Sequence, residues 1–144
     1  MHATVRSVIE AAAGRPEEVC ILDTEASPEH LSRGTARYAD GMLIVVEPYF
    51  KSLETGRRMA ALGRDLGLER VALIANKIRD DAEREAVREF ADANELEVAA
   101  VIPFDEQLPE AERAAAAPLD FAPDAPAVQA IGQLTRDWVA NGRA

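Results

Sequence analysis

Two short apolar runs in this chain end on side chains suited to phosphorylated or heteroaromatic ligands. Asp23 follows Val19–Leu22, and Asn76-Lys77 follows Val71–Ala75. Open α/β sheets bind ligands beyond the carboxyl ends of their strands. A carboxylate there can hold a metal-bound water or orient a water toward a phosphoryl group. A carboxamide carries a donor and an acceptor together, which complements the N6 amine and N7 of adenine. Lys77 can lay its alkyl stem against a base. Each residue also has an ordinary structural use: an acid that ends a strand, an Asn that forms a turn, a lysine at the surface.

The elements that must position these residues can be read from periodicity. Val19–Leu22, Met42–Val46, Val71–Ala75 and Val98–Ile102 are near-continuous apolar runs, the pattern of strands covered on both faces. Helical segments alternate with them. Pro28–Ala39 has Ser27 as its cap and Pro28 at the first helical position. Leu53–Leu66 stops at Gly67, and Ala82–Ala93 is capped by Asp80 or Asp81. The proline-rich stretch from Pro118 to Pro126 predicts an extended wrap. A final helix, Ala127–Ala140, turns Val128, Ile131, Leu134 and Trp138 to one side. Alternating strands and helices predict an α/β fold, a three-layer and mostly parallel sheet, in a single domain spanning residues 1–144.

Composition narrows the function classes. The net charge is −10 over 144 residues, which argues against a nucleic-acid binder, since that needs clustered Lys and Arg. No apolar stretch approaches the roughly 20 residues that span a bilayer. Arg136 and Arg143 are too few basic residues for the last helix to bind anionic lipid. The opening residues Met-His-Ala-Thr-Val-Arg lack a secretory apolar run, so a cytoplasmic location is expected. Cys20 is the one cysteine; it reads as a small core residue rather than a thiolate, and no metal site is expected. His30 beside Glu25 and Glu29 reads as a helix residue, and Tyr49 and Phe50 are expected under the following helix.

The stretch Asp23-Thr24-Glu25-Ala26-Ser27-Pro28, followed by Ile44-Val45-Val46-Glu47-Pro48 and Ala75-Asn76-Lys77, resembles the MinD/ParA class of ATPases with a deviant phosphate loop. Within that class it looks most like the accessory ATPases that help insert nickel into carbon monoxide dehydrogenase. The resemblance runs from His2 to about Leu134. It implies a P-loop-NTPase-like fold, ATP or ADP with Mg2+ as cofactor, and a metalloenzyme client as partner. It further implies that Asp23 supports magnesium and hydrolysis, that Asn76 recognises adenine, and that Pro103 and Phe104, within Ile102–Asp105, wall the base pocket.

Two departures shape the expectation. No Gly-x-x-x-x-Gly-Lys-Ser/Thr occurs in the sequence, so the backbone cradle and lysine that neutralise phosphates are missing. The family's phosphate loop and Cys-x-Cys pair would both lie before Met1. Where the family has glycine after the acidic turn, this chain has Ser27-Pro28, which approaches a terminal phosphate less closely. The chain therefore reads as a truncated or degenerate ATP-binding protein, inactive alone, with a second copy or a loop-bearing chain as partner. The alternative is a non-catalytic interaction module that keeps the fold. In the sheet, Val19–Leu22 is expected to pair directly with Met42–Val46, or a second chain is expected between them.

Overall fold

The structure, a computed structural model, describes residues 19–24 and 39–141. Three parallel strands form one sheet in the order β1 (Gly41–Val46), β2 (Arg70–Ile78) and β3 (Glu97–Pro103). Helix α1 (Phe50–Asp65) links β1 to β2, and α2 (Asp81–Ala93) links β2 to β3. The chain then forms α3 (Gln107–Arg113), the short α4 (Pro118–Phe121) and α5 (Pro126–Asn141).

Side-chain alternation along β2 divides the core between the two faces of the sheet. Leu73 and Ala75 join Ile44 and Val46 of β1 under α1 and α2, where Leu53, Met59, Val87 and Ala91 are buried. Ile74 points the other way, with Ile102 of β3, onto Ala127 and Leu134 of α5. Helices thus cover both faces, giving the expected three layers. Gly56 lets α1 sit close on β1, since a β-carbon there would come within 2.6 Å of Val46 Cγ1. The helix ends where Gly67 adopts φ +84° and donates to the Arg64 carbonyl at 2.9 Å, a left-handed turn that glycine takes without steric cost.

The cap of α2 is Asp80, whose Oδ1 accepts from the Glu83 N–H at 2.8 Å. Glu83 reaches back to accept from the Arg79 N–H at 2.7 Å. Asp80 thus satisfies one orphan donor of the helix start, and Glu83 ties down the residue before the cap.

Several expectations are corrected. Val19–Leu22 is not a strand: residues 19–24 are exposed and irregular, with Ile21 86% exposed. The expected pairing with β1 is not formed, because an apolar run specifies burial without specifying which edge receives it. Cys20 is exposed rather than in the core. Tyr49 and Phe50 are exposed too, since α1 begins at Phe50 and presents Leu53, Gly56 and Met59 to the sheet instead. The proline-rich stretch forms α4, with Pro118 in the first turn, where its missing N–H costs nothing. On α5 the sheet-facing side is Ala127, Ala130, Leu134 and Trp138, while Ile131 is exposed. The predicted helix Pro28–Ala39 lies outside the described residues up to residue 38, as do His2, Ser27 and His30.

Candidate functional site

At the carboxyl ends of β2 and β3 the two strands change register. Ala75 pairs with Val101, but the next pair is Ile78 with Pro103. Asn76 and Lys77 therefore stand opposite Ile102 alone, a β-bulge that bends the strand and re-aims its side chains. Lys77 takes φ +58°, a left-handed conformation that costs a non-glycine residue roughly 1–2 kcal/mol. The main chain recovers at once, with the Phe104 N–H donating to the Ile78 carbonyl at 2.9 Å. Asn76 and Lys77 thus lie within the end of β2 rather than after it.

The bulge opens onto a cavity of about 490 Å³. Asn76, Lys77, Pro103 and Phe104 form one side, with Asp105 at the turn out of β3. The opposite side is Leu108, Pro109 and Glu112 of α3, closed by Ala116 and Pro118. The walls are mostly carbon. A flat heteroaromatic ring fits such a space, because its faces need apolar contact and its edge needs a few placed polar groups.

Three interactions hold the walls. Asp105 Oδ1 accepts from the Gln107 N–H at 3.0 Å, and its Oδ2 accepts from the Ala127 N–H at 3.2 Å. One carboxylate therefore fixes the starts of both α3 and α5. The Arg79 guanidinium lies 4.6 Å from the centroid of the Phe104 ring, a cation–π contact that limits where the ring can turn. Lys77 Nζ donates to Glu47 Oε1 at 2.9 Å, bridging β2 to the residue just beyond β1. The Glu47 main chain is held separately, its N–H donating to Ser52 Oγ at 2.9 Å in the first turn of α1.

Four sequence-predicted site residues, Asn76, Lys77, Pro103 and Phe104, are brought together on this cavity. Asp23 is not among its lining residues and lies on the exposed, irregular segment. The wall formed by α3 was missed in the sequence. Its signal is Asp105 two residues before Gln107, an Asx turn entering a helix that tolerates Pro109 in its first turn. Among the described residues no group of three or more His, Cys, Asp or Glu could hold a metal ion. No helix among them is long and apolar enough to cross a membrane.

No protein-family model matches the chain. It is 33% identical over 122 residues to the carbon monoxide dehydrogenase accessory protein CooC of Rhodospirillum rubrum, covering 85% of this chain and 46% of that protein. It is 41% identical over 97 residues to an uncharacterized ATP-binding protein of Methanocaldococcus jannaschii, covering 67% of this chain and 37% of that one. The chain thus spans less than half the length of these two relatives. In fold it is similar to a chain of the MinC:MinD cell division protein complex of Aquifex aeolicus, with a TM-score of 0.78 and 23% identity over 96% of this chain and 58% of that one.

Proposed function

We propose that this chain, a MinD/ParA-like protein related to the carbon monoxide dehydrogenase accessory ATPases, recognises the adenine of ATP or ADP in the cavity at the ends of β2 and β3. The observation that carries this reading is the bulge, which brings Asn76 and Lys77 to the same cavity as Pro103 and Phe104. Asn76 supplies the paired donor and acceptor for the base edge. Pro103 and Phe104 offer the apolar faces, and Asp105 holds the far wall in register.

Mg2+, when bound with the nucleotide, would neutralise phosphate oxygens; the family resemblance gives its support to Asp23, which is not among the residues lining the cavity. Turnover is a different matter. Phosphoryl transfer relies on positioning and charge neutralisation, and this sequence has no Gly-x-x-x-x-Gly-Lys-Ser/Thr. We therefore assign the chain nucleotide recognition without hydrolysis on its own, within a system that matures a metalloenzyme. Nickel capture is not assigned to it, because paired thiolates suit such metals and the chain has one cysteine.

Calorimetric titration with adenosine and ADP tests the reading. Binding that weakens at least about tenfold in Asn76→Ala, the scale of a lost polar pair in a dry site, supports it. Undiminished binding in that variant removes it. Magnesium-dependent ATP turnover that disappears in Asp23→Asn would overturn the assignment of recognition alone.

A second reading, an interaction module without nucleotide, is favoured by one observation. Val45, Tyr49 and Phe50 are exposed apolar side chains at the end of β1, 59%, 55% and 75% accessible. That reading requires a partner to protect this edge whether or not nucleotide is present.

A further inference from the structure

Electrostatics around the cavity pose a problem for any phosphorylated ligand. The chain carries a net charge of −10, and the cavity is lined by the carboxylates of Asp105 and Glu112. Among the described residues lining it, Lys77 is the one basic residue. Arg79 stands close by, but its guanidinium is seated on the Phe104 ring. Lys77 lines the cavity while its Nζ reaches the end of β1, where Glu47 engages it. That direction is set by backbone, since an unbulged β2 would alternate Asn76 and Lys77 across the two faces of the sheet.

Resting on the assignment of the base to this cavity, we propose that Lys77 is the phosphate-reading residue of the site and that Glu47 is its built-in competitor. With a nucleoside bound, the Lys77–Glu47 pair stays closed. With a nucleotide, the phosphate nearest the sugar takes the ammonium from Glu47, and the pair opens. Both side chains suit the exchange. The Lys77 side chain is 52% exposed and that of Glu47 35%, so the pair is a surface one that a phosphate can displace. Opening it leaves the loop after β1 in place, because Ser52 holds the Glu47 main chain independently. The left-handed backbone at Lys77 is the kind of strain that persists where a side chain must be held in a particular direction. Lys77 makes the site prefer phosphorylated over bare nucleosides, and Glu47 limits that preference.

The experiment titrates adenosine and adenosine monophosphate into the intact chain and into Glu47→Gln and Lys77→Met, with folding of each variant checked by circular dichroism. The quantity read is the ratio of the two affinities. Glu47→Gln should raise the preference for the monophosphate by about two- to fivefold, the scale of one exposed ion pair. Lys77→Met, which keeps the alkyl stem, should bring the ratio to about one. Molar salt should shrink the wild-type preference toward that of Lys77→Met. If adenosine binds but both variants keep the wild-type ratio, the phosphate role of Lys77 is wrong while the base site stands. If adenosine does not bind, the base site itself is wrong and the inference falls with it.

Discussion

Asp105 Oδ2 accepts a hydrogen bond from the Ala127 N–H at 3.2 Å, across 22 residues of chain. Together with its bond to the Gln107 N–H, this makes one side chain the joint between β3, α3 and α5. Asp105→Ala should cost roughly 1.5–3 kcal/mol, the range for hydrogen bonds to a charged group. Asp105→Asn keeps one acceptor oxygen and should cost less than Asp105→Ala. Urea unfolding of the two variants measures the order, and equal losses would show that the second bond contributes nothing.

Phe104 offers the one aromatic face among the described residues lining the cavity, and Arg79 restrains its ring at 4.6 Å. Base stacking on an aromatic side chain is worth about 1–3 kcal/mol. Phe104→Leu should therefore weaken adenosine binding by about five- to a hundredfold, at little cost in stability. Arg79→Gln should weaken it less, because the ring remains and only its orientation is freed. A larger effect from Arg79→Gln would mean that the guanidinium, rather than the ring, meets the ligand.

The three strands were legible because Met42–Val46, Val71–Ala75 and Val98–Ile102 are apolar without alternation, as strands under two helical layers must be. The stop at Gly67 and the cap at Asp80 were legible for local reasons, one a glycine that turns left-handed and the other an oxygen three residues before an orphan N–H. The bulge was not, because it is a property of pairing: nothing in Ala75-Asn76-Lys77-Ile78 alone says that Ile102 will face two residues. Val19–Leu22 failed for a related reason, since apolar character does not name a partner edge. Helix α3 was hidden by Pro109 and by the alanine run after it. Half of the cavity wall was hidden with it.

Gly56 permits the approach of α1 to β1, and a methyl group there would meet buried Val46 at 2.6 Å. Helix propensity alone makes Gly→Ala favourable by up to about 1 kcal/mol. Overpacking a tight contact costs about 1–3 kcal/mol. The packing term should win, so Gly56→Ala should lower the thermal midpoint despite the better helix former. A raised midpoint would show that α1 can move away from β1 freely.

On α1, Glu54 receives two hydrogen bonds from Arg57, at 2.9 and 2.7 Å, and one from Arg58 at 3.2 Å. The Arg57 bonds, with Arg58 adding to them, hold its carboxyl at about 2 against an ordinary value of 4.5. The unfolded chain therefore binds more protons at this residue than the folded chain does between those two values. Its stabilising contribution is complete above pH of about 4.5 and disappears as pH falls toward about 2. Glu54→Gln should flatten the acid side of the stability profile in that window and leave the neutral side parallel to wild type. Because the group is only partly buried and its arginine partners are largely exposed, the difference should be small and should shrink in molar salt. Urea midpoints measured across the window decide it, and an acid slope unchanged in Glu54→Gln would assign the loss of stability to other carboxylates.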